Sequence, residues 1–232
     1  MNLYVGTSGF SYKEWKGSFY PKDLPNQQML RFYGERFRAV EINSTFKRLP
    51  TSSVLKTWAG AVARDFKFAL KASERITHYR RLKDVGSLVS DLFRVATALK
   101  SRLGPVLFQL PPNFKKDVPR LREFLGLLPS RRQVAMEFRH GSWFDEDVFT
   151  LLRKHRVALC IADAEGELEV PFVATAAWGY LRLRRPDYRA AALQAWVKRV
   201  QAQVWRDAFV FFKHEEEGQG AKLAQRFLKL AG

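Results

Sequence analysis

Eight short runs of apolar, β-branched and aromatic residues punctuate this chain, and stretches of helical period separate most of them. Strand and helix alternating from end to end leave few solutions. The sheet must be parallel with helices in its crossovers, and eight strands are enough to close it into a barrel. The runs are Leu3–Gly9, Ala39–Phe46, Phe66–Ser73, Pro105–Pro111, Gln133–His140, Val157–Asp163, Gly179–Arg184 and Ala208–His214. The expected fold is α/β, a single TIM-like (β/α)8 barrel over residues 1–232. With 47% hydrophobic residues the chain can fill one such core, and no linker, repeat or composition shift marks a second domain.

Local signals punctuate the helices. Thr51 to Ser53 can cap a segment that continues through Trp58 and Val62. Asp84 can begin a long stretch to Leu103 that Gly104-Pro105 would stop. Asp145-Glu146-Asp147 sets acids at the positive end of a Val148–His155 helix. Ala164–Trp178 shows no clear helical period, so the crossover after the sixth strand is expected to be irregular. No apolar run approaches the ~20 residues that cross a bilayer. A strand is expected from Leu3, so no signal peptide is expected, and the one cysteine, Cys160, lies inside an expected strand. A soluble cytoplasmic enzyme with no membrane partner is the expected class; the oligomeric state is not legible.

Alternation along the strands sharpens this picture, because residues two apart share a face. Val40 and Ile42 oppose Glu41 and Asn43; Phe66, Phe68 and Leu70 oppose Lys67, Ala69 and Lys71. Val106, Phe108 and Leu110 oppose Leu107 and Gln109; Val134, Met136 and Phe138 oppose Ala135, Glu137 and Arg139. Leu181 and Leu183 oppose Tyr180, Arg182 and Arg184. The apolar faces suit the helix-covered outside. Glu41, Lys71, Gln109, Glu137, Arg139 and Arg182 would then converge inside, where they must pair with one another or with a ligand. Catalytic loops of parallel barrels gather at the strand carboxyl ends, where these side chains fall.

Glu137, His140 and Asp163, with Glu41 further round, form a carboxylate–imidazole set able to act as general acid and base. The bland alternative is a buried Glu137–Arg139–Arg182 ion network that fills the barrel. A metal site is disfavoured by the histidine spacing and the surrounding basic residues, so no cofactor is expected, although a divalent ion is not excluded. Anion binding is better supported. Arg184, Arg185, Lys213 and His214 follow the seventh and eighth strands, and Gly218 and Gly220 precede a helix from about Ala221. Arg75, His78, Arg80 and Arg81 form a second basic group after the third strand. Tyr12, with Phe10, Trp15, Phe19 and Tyr20, could stack a base or sugar or form a hydrophobic lid, and Trp143 invites the same two readings. Lys71 and Lys213 could each form a Schiff base if burial lowered their pKa.

The net charge is +17, and 24 of the 40 basic residues are arginine. That balance favours an anionic partner, either a small molecule or nucleic acid, unless the arginines merely decorate solvated helix faces.

Several motifs point further. GTSGFSYKEW (Gly6–Trp15), EINSTFKRLP (Glu41–Pro50), ALKAS (Ala69–Ser73) and ITHYRRL (Ile76–Leu82) resemble the YecE-like family, domain of unknown function 72. So do GPVLFQLPP (Gly104–Pro112), MEFRHGSW (Met136–Trp143), Ala162-Asp163 and YLRLR (Tyr180–Arg184). The resemblance implies a TIM-like barrel with a pocket at the strand carboxyl ends and supplies no reaction. Many relatives carry an aromatic residue at Lys47, His-Gly at Arg184-Arg185 and Asn-Asn at Lys213-His214, which suggests a subfamily with an altered anion site. The combined expectation is an enzyme acting on a phosphorylated or nucleic-acid-derived ligand. Glu137, His140, Asp163 and Glu41 would carry the acid–base chemistry. Asn43, Lys71, His78, Arg81, Gln109, Arg139, Trp143, Arg182, Arg184, Lys213, His214 and Tyr12 would bind substrate. A non-catalytic nucleic-acid-binding protein is the rival reading.

Overall fold

A computed structural model describes every residue except Glu167, His214 and Glu215, and the backbone alone of Glu216. Eight parallel strands form one sheet: β1 (Asn2–Thr7), β2 (Ala39–Ile42), β3 (Lys67–Lys71), β4 (Leu103–Gln109), β5 (Val134–Glu137), β6 (Ala158–Asp163), β7 (Trp178–Leu183) and β8 (Asp207–Phe212). The strand order is β1-β8-β7-β6-β5-β4-β3-β2, so the two ends of the sheet, β1 and β2, are the edges that must meet.

They meet without a regular ladder. At the carboxyl end the Gly9 amide donates to the Glu41 carbonyl at 2.8 Å. Lower down, the buried Tyr33 hydroxyl lies between the strands. It accepts from the Thr7 amide at 2.8 Å and donates to the Ala39 carbonyl at 3.0 Å, supplying the bonds that a paired strand would have made. Gly6 makes the approach possible, because a Cβ there would lie 1.9 Å from the Ala39 carbonyl oxygen. The barrel is thus nearly closed.

Seven α-helices cover the outside among the described residues: α1 (Met29–Gly34), α2 (Ser52–Gly60), α3 (Gly86–Ala96), α4 (Val118–Gly126), α5 (Glu146–His155), α6 (Ala190–Gln201) and α7 (Gln219–Ala231). Thr51 caps α2 through Val54, and Asp145 caps α5 through Asp147, as the sequence implies. None of the described residues between β6 and β7 is helical, and Thr175 instead ties that crossover to β6 through the Leu159 amide and Val157 carbonyl. One expectation needs correction: Asp84 does not begin a helix, since it has φ +50° and α3 starts at Gly86. The helical stretch continues past α3 as a 3-10 segment, Thr97–Arg102, and stops before Gly104-Pro105, which lies within β4, where the β3–β4 register shifts between Phe68 and Leu70. Proline has no amide to donate, so the ladder bulges around it. No helix of the described residues is long and apolar enough to cross a membrane.

The outward strand faces pack under the helices; Val106, Phe108, Val134 and Met136 join the helix residues Leu92, Phe124 and Leu152. The inward face is a separate cluster of Tyr4, Ala39, Ala69, Leu107, Ala135, Cys160, Tyr180, Phe209 and Phe211. Small residues from β2, β3 and β5 leave room for the aromatics of β1, β7 and β8, and this plug forms the floor under the polar layer.

Candidate active site

Two carboxylates and a guanidinium lie on that plug. Strand alternation directs Glu41, Glu137 and Arg182 inward, and all three are essentially without solvent contact. Arg182 bridges the acids, donating from Nη1 to Glu137 Oε2 at 2.7 Å and from Nη2 to Glu41 Oε1 at 2.9 Å. The remaining carboxylate positions are filled. Glu41 accepts from Ser8 Oγ and the Tyr180 hydroxyl, each at 2.7 Å, and Glu137 accepts from Gln109 Nε2 at 2.7 Å. Burial opposes ionisation of Glu137, but Arg182 and Arg184, with the Arg182 and Gln109 hydrogen bonds, outweigh it and hold the carboxyl below its ordinary range. Burial likewise works against the charge of Arg182, and the two carboxylates more than offset it. Burial, then Glu41, pushes the Tyr180 hydroxyl well up, so it stays a donor.

The second layer is basic. Lys71, at the end of β3 and partly buried, places its ammonium 4.0 Å from the centre of the Phe46 ring. No carboxylate among the described residues lies within ion-pairing distance of it. Burial, then Arg182, depresses its pKa from 10.5 to about 8, against the smaller pull of Glu137 and Glu41. His78 lies edge-on to the same Phe46 ring at 4.9 Å, with Nδ1 2.9 Å from Thr77 Oγ1. Burial and the Lys71 charge lower its pKa. His78 belongs to a π-helical turn, Arg75–Tyr79, an element that recurs at functional sites. Arg184 Nη1 lies 3.9 Å from Glu137 Oε1. Asn43 sits beyond β2 with its Oδ1 buried and without a hydrogen-bond partner among the described residues.

Several expected site residues fall elsewhere. Arg139 is exposed rather than part of the buried network, because β5 ends at Glu137 and the alternation ends with it; the network is Glu41–Arg182–Glu137. Asp163 faces away from the interior plug that Cys160 joins, so it does not approach Glu137. Its carboxylate accepts from Arg185 Nε at 2.6 Å, the Tyr188 hydroxyl at 2.9 Å and Trp196 Nε1 at 3.2 Å. His140 caps a short turn, its Nδ1 accepting from the Ser142 amide at 3.2 Å. Trp143 is fully buried outside the barrel wall, stacked on Phe138 and donating to the Phe114 carbonyl, so it cannot contact a ligand. Arg81 lies 5.9 Å from the Phe114 ring, outside the Lys71 cluster. Tyr12 donates its hydroxyl to the Ser8 carbonyl at the rim; Trp15 and Tyr20 are buried. The amide of Lys213 extends the β8 pairing to Leu183, and His214 lies outside the described residues.

The Gly218–Gly220 turn serves packing. Gly218 has φ +70°, and a Cβ there would lie 2.9 Å from Ser18 Oγ, so the first loop already covers this start of α7. Between α6 and the irregular crossover, a groove of about 690 Å³ lined by Phe172, Tyr188, Trp196 and Arg199 opens behind Asp163. It does not touch the Lys71–Glu137 cluster. The barrel mouth is the better candidate because its charges are buried and convergent. Among the described residues no three His, Cys, Asp or Glu side chains come together as a metal site.

Sequence reasoning passed over Phe46 and Tyr180 as site residues. Tyr180 was legible, since it shares a face with Arg182. The Phe46 contact was not, because it lies in a short turn after β2.

A family model described as Protein of unknown function DUF72 matches residues 4–232. The chain is 29% identical to the UPF0759 protein YecE of Escherichia coli (strain K12) over 143 residues, which is 61% of this chain and half of that protein's length. It is 26% identical to the UPF0759 protein YunF of Bacillus subtilis (strain 168) over 233 residues, covering 93% of this chain and 79% of that protein. A crystal structure of a DUF72 family protein from Thermotoga maritima superposes over 99% of both chains, with a TM-score of 0.85 and 27% identity. One from Enterococcus faecalis shares the fold at a TM-score of 0.82 and 17% identity, over 99% of this chain and 95% of that one. With its parallel barrel and the family motifs at the strand ends, the chain belongs to the DUF72 family.

Proposed function

We propose that the protein is an enzyme whose barrel mouth takes a small anionic substrate, with Lys71 as the group that exchanges charge with it. The observation that carries this reading is the seating of Lys71. Its ammonium rests over an aromatic ring in a partly buried mouth, with no ion-paired carboxylate among the described residues. An uncompensated cation in that setting is poorly solvated, and an anionic ligand relieves it. Arg184 and the exposed Arg139 add positive potential at the same rim, since both Lys71 and Arg139 act on His78. In this reading Glu137 and Glu41 are not the acid–base pair. Ion-paired on both sides of Arg182, they orient its guanidinium, and Lys71, titrating near pH 8, is the better placed proton carrier.

Calorimetric titration with phosphate, pyrophosphate and short 2-oxo and 2-hydroxy acids tests this. At least one anion should bind wild type and lose about tenfold or more in affinity in Lys71→Met. If no anion binds, or if affinity is unchanged in the variant, the reading fails. Steeply salt-dependent oligonucleotide binding that is indifferent to Lys71→Met would assign the +17 charge to surface recognition of nucleic acid instead.

A further inference from the structure

The Lys71 amine has the surroundings of a nucleophile as well as those of an anion anchor. Most lysines at strand ends pair with a carboxylate, which holds the proton on nitrogen. Here the nearest buried carboxylates are engaged elsewhere, with Arg182, Ser8, Tyr180 and Gln109 filling their oxygens. The charges of Arg182 and Arg184 act on Lys71, and its ammonium lies 4.0 Å from the centre of the Phe46 ring. Desolvation beside other cations is how a lysine is made available as a free amine.

We propose that Lys71 forms a Schiff base with a small anionic carbonyl compound, a 2-oxo acid or a phosphorylated aldehyde, bound in the mouth. This rests on the reading of the mouth as an anion site. The Lys71 ammonium first releases a proton to solvent, and its lone pair then attacks the carbonyl carbon, forming the C–N bond while the π pair moves to oxygen. That oxygen takes up protons, the C–O bond breaks and water leaves, so a protonated C=N bond remains. Net, one ammonium and one carbonyl give one iminium and one water, with charge unchanged and no oxidant or reductant required. The basic rim would hold the substrate's carboxylate or phosphate. His78, whose pKa is lowered beside the same ring, would remain a neutral imidazole at physiological pH, able to accept or return a proton.

The experiment is reductive trapping. Intact protein is incubated at pH 8 with pyruvate, glyoxylate, glyceraldehyde 3-phosphate or pyridoxal phosphate, borohydride is added, and the label is located by peptide mass mapping. A lysine titrating near 8 carries about a hundredfold more free amine at that pH than an ordinary one. At least one probe should therefore label Lys71 roughly tenfold or more faster than any surface lysine. The adduct should be lost in Lys71→Met, and excess phosphate should slow it in wild type. Absence of a Lys71 adduct with all four probes, or labelling spread evenly over the lysines, overturns the proposal. Because the modified site is mapped in wild type, misfolding of the variant would not hide the answer. Anion binding that persists without trapping would sink the covalent step alone; loss of both would sink the anion site as well.

Discussion

Lys67 and Lys71 stand at opposite ends of β3, on the same face, and meet opposite fates. At the amino end of the barrel Lys67 donates to the Ser101 carbonyl at 2.6 Å and faces the Asp207 carboxylate. Asp207 is itself satisfied by Asn2 Nδ2 at 2.9 Å, Arg206 Nε at 3.0 Å and, more loosely, Gln133 Nε2 at 3.4 Å. Burial lowers the pKa of Lys67 too, but the amino end has paired its polar groups with one another. At the carboxyl end the acids are consumed by Arg182, and Lys71 is left with an aromatic face. Polar strand ends alone do not make a site. What distinguishes the two ends is whether each charge finds its complement within the protein.

The largest test of this contrast is Arg182→Met. It leaves two buried carboxylates facing each other without their shared cation, and urea unfolding should show a loss of about 3–5 kcal/mol. A loss below about 1 kcal/mol would mean that the network is not the structural keystone of the carboxyl end.

Next in size is the pH dependence set by Lys71. Its folded-state pKa of about 8 lies below the ordinary 10.5, so the unfolded chain binds the proton more tightly across that window. Its contribution to stability should therefore rise between about pH 8 and 10.5 and be most unfavourable below pH 8. Lys71→Met should remove this slope and, near neutral pH, stabilise the fold by about 1–2 kcal/mol, a figure discounted for the partial exposure of the side chain. Equal slopes for variant and wild type would show that Lys71 has an ordinary pKa.

The smallest effect should come from the other end. Asp207→Asn keeps an oxygen acceptor for its neighbours and should cost about 1 kcal/mol in thermal or urea unfolding, leaving anion binding and borohydride trapping unchanged. A change in either of those would erase the functional distinction between the two ends.

Much of the site was legible because strand alternation is local. The spacing of Glu41, Gln109, Glu137 and Arg182 within their own strands is enough to turn each side chain inward, and all four arrive there. The same rule failed where a strand ended sooner than its apolar pattern. Arg139 lies two positions past Glu137 but outside β5, and its side chain is exposed. Asp163 lies within β6, but on the face opposite Cys160, so parity rather than proximity to the strand end decides that it points away.

By itself, then, the sequence determined the succession of strands and helices, the inward and outward faces, the irregular sixth crossover and membership of a family of such barrels. These follow from periodicity and motif, which are properties of neighbouring residues. Only the tertiary structure decided which charges pair. Glu41 and Arg182 are 141 residues apart and meet because closure of the sheet brings β2 and β7 to face one interior. It also decided that the Tyr33 hydroxyl would join β1 to β2, and that Lys71 would be the cation left over an aromatic ring. Pairing is a competition among all groups that share a buried space, and that space exists only once the barrel has closed.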